Sequence, residues 1–318
     1  MIITFTPNPS LDRTVLLDRQ LTRGAVHRAE SVTVESAGKG INVARVLHAA
    51  GQEVLALLPA GPSDPILSGL TDTLPHRAVA ITDRVRTNIT LTESDGTTTK
   101  VNEAGPTLTA DQVAACTAMI LEEAAGAGWV ALSGSLPPGA PVDWYAQLVA
   151  ALTPLGCLVA VDTSDAPLQA LVDALPASAC DLIKPNSEEL AQLTGADAEW
   201  LESSARAGDP RPVVAAARSL VDRGIGAVLA TLGGAGAVLV TAEGAWYAQA
   251  PAITVRSTVG AGDSSVAGYI LAAAAGARPA RRLQSAVAHG SAAAGLPGTS
   301  LPRPGDVNLD AVTVTRID

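Results

Sequence analysis

Along most of the chain, short apolar runs alternate with helix-compatible segments, and this alternation constrains the fold more than any other feature. Ile2 to Thr6, Val54 to Leu58, Trp129 to Leu132, Leu158 to Val161, Leu182 to Ile183 and Val228 to Thr231 read as strands. Helical patterns lie between them at about 40–50, 141–153, 167–175, 187–194 and 213–223. The runs show no polar alternation, as expected of strands buried on both faces. Strand–helix alternation of that kind predicts βαβ units and a mostly parallel sheet covered on both sides. In the first helix Ile41, Ala44 and Leu47 share a face, and Gly51 is placed to stop it.

Two stretches depart from the pattern. Residues 31–36 alternate with period two, and so do residues 86–102, where Asn88 to Thr92 and Thr97 to Asn102 flank Asp95-Gly96, a hairpin turn signal. Alternation implies one buried and one wet face. These segments therefore predict a small antiparallel sheet growing out of the α/β core, placed as a cover over a site. No break in composition marks a second domain and no repeat is present, so the expectation is one domain over residues 1–318, with a lid from about 10–37 and 86–103. Residues 202–212 and 295–306 are the stretches nearest to disorder.

Composition excludes several functions. The 318 residues carry 21 Lys+Arg against 31 Asp+Glu, a net charge of −10, and only 3% are aromatic. Nucleic acid is thus a poor partner, since neither a basic footprint nor stacking platforms are available. Neither a signal peptide nor an apolar run of membrane-spanning length is visible, so neither membrane nor secretion is expected. Cys116, Cys157 and Cys180 are widely spaced without a CxxC pair, which reads as free thiols in a reducing cytoplasm. Lys39, Lys100 and Lys184 are the only lysines, which makes the position of each informative.

The sharpest motif is Ser257-Thr-Val-Gly-Ala-Gly-Asp263, followed by a helix-compatible run to Ala275. Gly260, Ala261 and Gly262 can converge their amide N–H groups at a helix start, forming an anion nest suited to a transferring phosphate. Asp263 would lie near the helix N-terminus, able to accept a proton from an attacking hydroxyl, although an N-terminal Asp can equally serve as a cap. In Ser36 to Arg45, Lys39 stands between Gly38 and Gly40 at a helix entrance with Asn42 on the first turn; the spacing fails the P-loop pattern, but an anion ligand fits. In Lys184-Pro-Asn-Ser-Glu-Glu189, Asn186 and Glu189 are spaced either for a magnesium–water shell or for a reciprocal capping box. Thr231 to Gly236 ends a strand in a glycine turn that either passes over a nucleotide or closes a hairpin, and Asp12 could hold sugar hydroxyls. Gly126 to Ala131 loosely matches a dinucleotide fingerprint but precedes its strand instead of following it, which argues against an oxidoreductase.

In this order along the chain, these motifs together with Arg86-Thr-Asn88 and Leu132-Ser-Gly-Ser-Leu-Pro137 resemble the ribokinase-like sugar kinases of the phosphofructokinase-B family, and within it the members that act on fructose 1-phosphate. The resemblance implies a three-layer α/β/α fold with a β lid. It implies ATP and magnesium as cofactors, Asp263 as catalytic base, and Gly260, Ala261 and Gly262 as the anion hole. By the same resemblance Asp12, Gly38 and Asn42 bind sugar hydroxyls, and Lys39 and Arg86 hold the substrate's own phosphate with Ser133 or Ser135 assisting. Lys184, Asn186, Glu189, Thr231, Gly233 and Gly236 line the nucleotide side, with Glu189 reaching magnesium through water. The expected reaction is phosphorylation of D-fructose 1-phosphate; tagatose 6-phosphate kinase and a catalytically silent sugar-phosphate sensor are the alternatives. A homodimer through the lid is also implied. Asp165 stands where many relatives have glycine.

Overall fold

The structure, a computed structural model, describes residues 1–317. Among these residues fourteen strands form two sheets. The core strands are β1 (Ile2–Phe5), β4 (Val54–Ala60), β5 (His76–Ala80), β8 (Trp129–Ser133), β9 (Leu158–Asp162), β10 (Leu182–Ile183), β11 (Ala227–Thr231), β12 (Ala237–Thr241), β13 (Gly244–Ala248) and β14 (Val314–Arg316). Their order across the sheet is β14-β13-β12-β11-β10-β9-β8-β1-β4-β5. From β5 to β11 every pairing is parallel, whereas β12, β13 and β14 add antiparallel strands at one end.

Both faces are covered, as the unbroken apolar runs require. In β1 Ile3 and Phe5 point into one apolar layer and Ile2 into the other; in β8 Val130 and Leu132 oppose Trp129 and Ala131 in the same way. One layer holds α1 (Lys39–Ala49), α2 (Pro65–Thr71), α9 (Ala261–Ala274) and α10 (Pro279–Ala294). The other holds α3 (Ala110–Ala124), α4 (Trp144–Leu152), α5 (Asp165–Asp173), α6 (Ser187–Thr194), α7 (Ala198–Arg206) and α8 (Arg211–Val221). This is the expected three-layer α/β/α arrangement. Helix α1 ends as the sequence indicates: Gly51 has φ 80° and its N–H bonds to the carbonyl of His48.

The second sheet comprises β2 (Ser10–Leu17), β3 (Ala29–Ala37), β6 (Arg86–Thr92) and β7 (Thr98–Asn102), in the order β3-β2-β6-β7. It lies at the expected lid segments but is not purely antiparallel. Its central pair β2 and β6 runs parallel, with antiparallel partners β3 and β7 outside. Both central strands enter the lid from the core in the same direction, and each turns back through its own outer strand, so the middle pairing must be parallel.

The segments read as nearest to disorder are also structured. Residues 202–212 contain the end of α7, with Leu201 and Ala205 buried, and the start of α8, where Asp209 accepts from the backbone of Arg211. Within 295–306, Thr299 donates a hydrogen bond to Glu35 on β3, and Pro304–Asp306 form a short 3₁₀ turn. Among the described residues no helix is long and apolar enough to cross a membrane, and all three cysteines are buried and free.

Candidate active site

The carboxyl ends of β1, β8, β9 and β10 converge on the N-termini of α1 and α9, the position at which open α/β sheets bind ligands. Helix α1 reaches this place because its first turn lacks side chains where it meets β1. A Cβ on Gly38 would lie 2.6 Å from Thr6 Cγ2, and one on Gly40 would lie 2.5 Å from Thr6 Oγ1. The glycines flanking Lys39 thus let a helix N-terminus seat directly against a strand end. Gly260 caps α9 in the left-handed region, φ 75°, and the Ala261 N–H turns back to the carbonyl of Thr258 at 3.4 Å.

Asp263, in the first turn of α9, is buried, and Asn42 of α1 donates to its Oδ2 at 2.8 Å. Burial is the main force on its carboxyl group, pushing the pKa up to about 6. Lys39, Asn42 and Lys184 pull it down, and neighbouring Asp162 pushes it further up. Lys184 lies against the glycine turn: a Cβ on Gly262 would come within 3.3 Å of its ammonium.

Asp162, which the motif reading did not single out, is the centre of this charge cluster. Its carboxylate is 3.2 Å from Lys184 Nζ, and each of its oxygens is 3.3 Å from Lys39 Nζ. Burial works against its charge, but the two lysines overcome it and hold the group below the usual carboxylate range. Asp162 and Lys184 are nearly inaccessible, whereas the Lys39 side chain remains 40% exposed. Asp162 raises the Lys39 pKa most, against burial, with Asp263 and Glu189 adding to the rise. The sequence signal was an acidic residue closing an otherwise apolar strand.

The residues that the resemblance assigns to the sugar sit on the second sheet, at the end of β8 and just after it, and at the start of α1. Asp12 and Arg86 occupy the paired strands β2 and β6, and Arg86 Nη1 donates to the carbonyl of Glu103 at 3.4 Å. Ser135 accepts from Asn8 Nδ2 at 3.4 Å, and Asn8 also donates to the carbonyl of Ala104 at 3.0 Å, joining the lid stem to the loop after β8. Asn8 is another residue that motif reading passed over. Several buried polar atoms here have no hydrogen-bond partner among the described residues: Thr6 Oγ1, Asn8 Oδ1, Arg86 Nε, Asn88 Oδ1 and Ser133 Oγ. Buried polar atoms are seldom left unpaired, so a polar ligand suits this crevice.

On the other side, Asn186 caps α6. It accepts from the Glu189 N–H at 2.8 Å while Glu189 Oε2 accepts from the Asn186 N–H at 2.8 Å. The capping alternative is therefore realised, and it fixes both side chains beside Thr231, which pairs with Asn186 across a parallel bridge. Gly233 (φ 53°) and Gly236 (φ 97°) make the tight connection of β11 to β12, and a Cβ on Gly236 would lie 2.0 Å from the carbonyl of Ala248. That hairpin accounts for the glycine at 236. Among the described residues no group of three or more His, Cys, Asp or Glu could cage a metal. One free carboxylate oxygen of Glu189 suits magnesium, which commonly binds through water, one or two carboxylates and substrate phosphates.

A buried carboxyl group with a raised pKa, a glycine turn at a helix N-terminus and two lysines sharing one counter-ion are the parts that a phosphoryl-transfer site requires. The pattern of the pfkB family carbohydrate kinases matches residues 7–305. The chain belongs to that family. It is a sugar kinase, a phosphotransferase with an alcohol group as acceptor. This pfkB-family kinase is similar to the 1-phosphofructokinase of Xanthomonas campestris pv. campestris, with 39% identity over 85% of this chain and 83% of the relative. It is 36% identical to that of Rhodobacter capsulatus, over 99% and 96% of the two chains. Phosphofructokinase-2 from Escherichia coli, solved in complex with substrates and products, superposes with a TM-score of 0.86 at 31% identity, covering 96% of each chain. An Arabidopsis thaliana ribokinase shares the fold with a TM-score of 0.73 at 22% identity and 96% coverage of both chains.

Proposed function

We propose that the chain phosphorylates D-fructose 1-phosphate at its 6-hydroxyl with ATP, giving D-fructose 1,6-bisphosphate and ADP. The observation that carries this reading is Asp263 seated immediately behind the Gly260–Gly262 turn, with Lys39 and Lys184 bracketing it. In the reaction the sugar's 6-oxygen attacks the γ-phosphorus and the bond from that phosphorus to the β,γ-bridging oxygen breaks. Asp263 takes the hydroxyl proton. Amides at the start of α9 and the Lys184 ammonium lie where charge develops on the transferring phosphoryl group. Lys39, the more exposed lysine, and Arg86 on the lid are assigned to the phosphate the sugar already carries, with Ser133 or Ser135 assisting. Asp12, Gly38 and Asn42 are assigned to its hydroxyls.

Asn186, Thr231, Gly233 and Gly236 are assigned to the nucleotide side. Glu189 would hold magnesium through water, which when bound screens the nucleotide's phosphate charge. The choice of fructose 1-phosphate rests on the relatives named 1-phosphofructokinase, together with a lysine at position 39. The lid's Val32, Val34 and Val101 are 42%, 54% and 54% exposed, and we assign this apolar surface to a homodimer contact between lids.

One kinetic panel tests the substrate: kcat/KM for fructose 1-phosphate, fructose 6-phosphate, tagatose 6-phosphate and unphosphorylated fructose. Fructose 1-phosphate is expected to lead. A higher value for tagatose 6-phosphate overturns the assignment, and no ADP release with any of them would turn the protein into a sugar-phosphate sensor.

A further inference from the structure

Asp12 does not stand alone on the lid. Ser10 Oγ donates to its Oδ1 at 2.7 Å, and Asn88 Nδ2 donates to the same oxygen at 3.0 Å and to Ser10 Oγ at 3.1 Å. Ser10 is buried. Oδ2 of Asp12 accepts no bond from any described residue. One carboxylate oxygen is thus doubly occupied and the other is left for a ligand, so rotation about the carboxylate axis is blocked.

Strand register extends this arrangement to Arg86. In the parallel pairing of β2 with β6, Ser10 faces Arg86 and Asp12 faces Asn88. Residues two apart share a face, so all four side chains lie on one side of the lid. The spacing of a hydroxyl acceptor from a phosphate-binding guanidinium is then set by about 6.7 Å along a strand and about 4.8 Å across the pair. The side chains of Ser10 and Asn88 hold that frame together.

We infer that Ser10 and Asn88 are positioning residues that clamp Asp12 beside Arg86, making the lid a preassembled half-site that reads the separation between a hydroxyl and a phosphate on one sugar phosphate. This rests on the reading of the chain as a sugar-phosphate kinase. Neither residue touches the nucleotide side, so their effect is confined to the sugar.

The test is steady-state kinetics of Ser10→Ala, Ser10→Thr and Asn88→Ala with fructose 1-phosphate and ATP each varied, alongside thermal melts. Loss of one donor to a charged acceptor is expected to raise KM for the sugar phosphate about tenfold, with KM for ATP unchanged and kcat within about threefold. Ser10→Thr keeps the hydroxyl and is expected to restore KM. A rise in both KM values together, or a lowered melting temperature with the sugar KM unchanged, overturns the clamp. Should Asn88→Ala not fold, the contrast between Ser10→Ala and Ser10→Thr decides alone. If another sugar phosphate proves to be the substrate, the same split is read with that sugar, so failure of the substrate assignment is distinct from failure of the clamp.

Discussion

Asn42 and Asp263, separated by 221 positions in the chain, meet at 2.8 Å where the first turns of α1 and α9 come together at the carboxyl ends of the central strands. The amide donor holds the carboxylate of the candidate base in one orientation, with the glycine turn behind it.

Replacement of Asp263 by Asn keeps the size of the side chain and removes its ability to take a proton. The expected outcome is a loss of about 10²–10⁴ in kcat, the usual contribution of a positioned base, with ATP binding retained. Rapid-quench turnover combined with nucleotide titration measures both; near-normal kcat would remove Asp263 from the base role.

The pH dependence follows from the raised carboxyl group. A base must be ionised to act, so kcat/KM for the sugar is expected to fall as pH drops through about 6, not near the ordinary carboxylate value. Stability has the opposite slope. A carboxyl whose folded pKa is raised holds its proton longer when folded, so stability is lost as pH rises through the window up to about 6. The Asp263→Asn variant lacks this loss, and its stability advantage over the native chain should grow between pH 4 and pH 7 in urea titrations.

Asp162→Asn leaves two neighbouring ammonium groups without their shared counter-ion, one of them buried. Removing one partner of a buried pair costs about 3–5 kcal/mol. Denaturant unfolding is expected to show a loss of that order at pH 7, and a midpoint equal to that of the native chain would contradict the ion cluster.

Lys39→Ala separates the two anion sites. Charge-assisted contacts to phosphate of this kind correspond to about 10- to 100-fold in binding. KM for fructose 1-phosphate is expected to rise by that factor while KM for ATP changes little, because Lys184 remains at the Gly262 turn. Equal shifts in both constants would show that Lys39 serves the nucleotide.

Asp165 has φ 56°, the one non-glycine residue in the left-handed region among the described residues. That conformation explains why glycine can stand at this position, and Ser164 supports the aspartate by donating to its Oδ2 at 2.9 Å. Thermal melts should find Asp165→Gly close to the native chain and Asp165→Val destabilised by about 1–2 kcal/mol, since a β-branched side chain strains this backbone most.

The strands and helices were legible because burial on both faces keeps charged residues out of β1, β8 and β11, while the lid strands keep a two-residue period. The turn at Gly260 and the lysine between Gly38 and Gly40 were legible too, because backbone demands for glycine are local. Asp162 and Asn8 were not. Each is a common residue in an unremarkable local setting, and its importance comes from what distant segments bring to it.

By itself the sequence determined the layered α/β class, the lid segments, the two glycine-framed helix starts and the family, since periodicity, turn chemistry and motif order are properties of short stretches. Tertiary structure alone decided that β2 and β6 run parallel, that Asn186 and Glu189 cap one another, that Lys39 and Lys184 share Asp162, and that Ser10 and Asn88 grip Asp12. The physical reason is that pairing direction, counter-ion sharing and hydrogen-bond occupancy are relations between residues up to hundreds of positions apart. They exist only once the chain has closed its loops and buried the groups concerned.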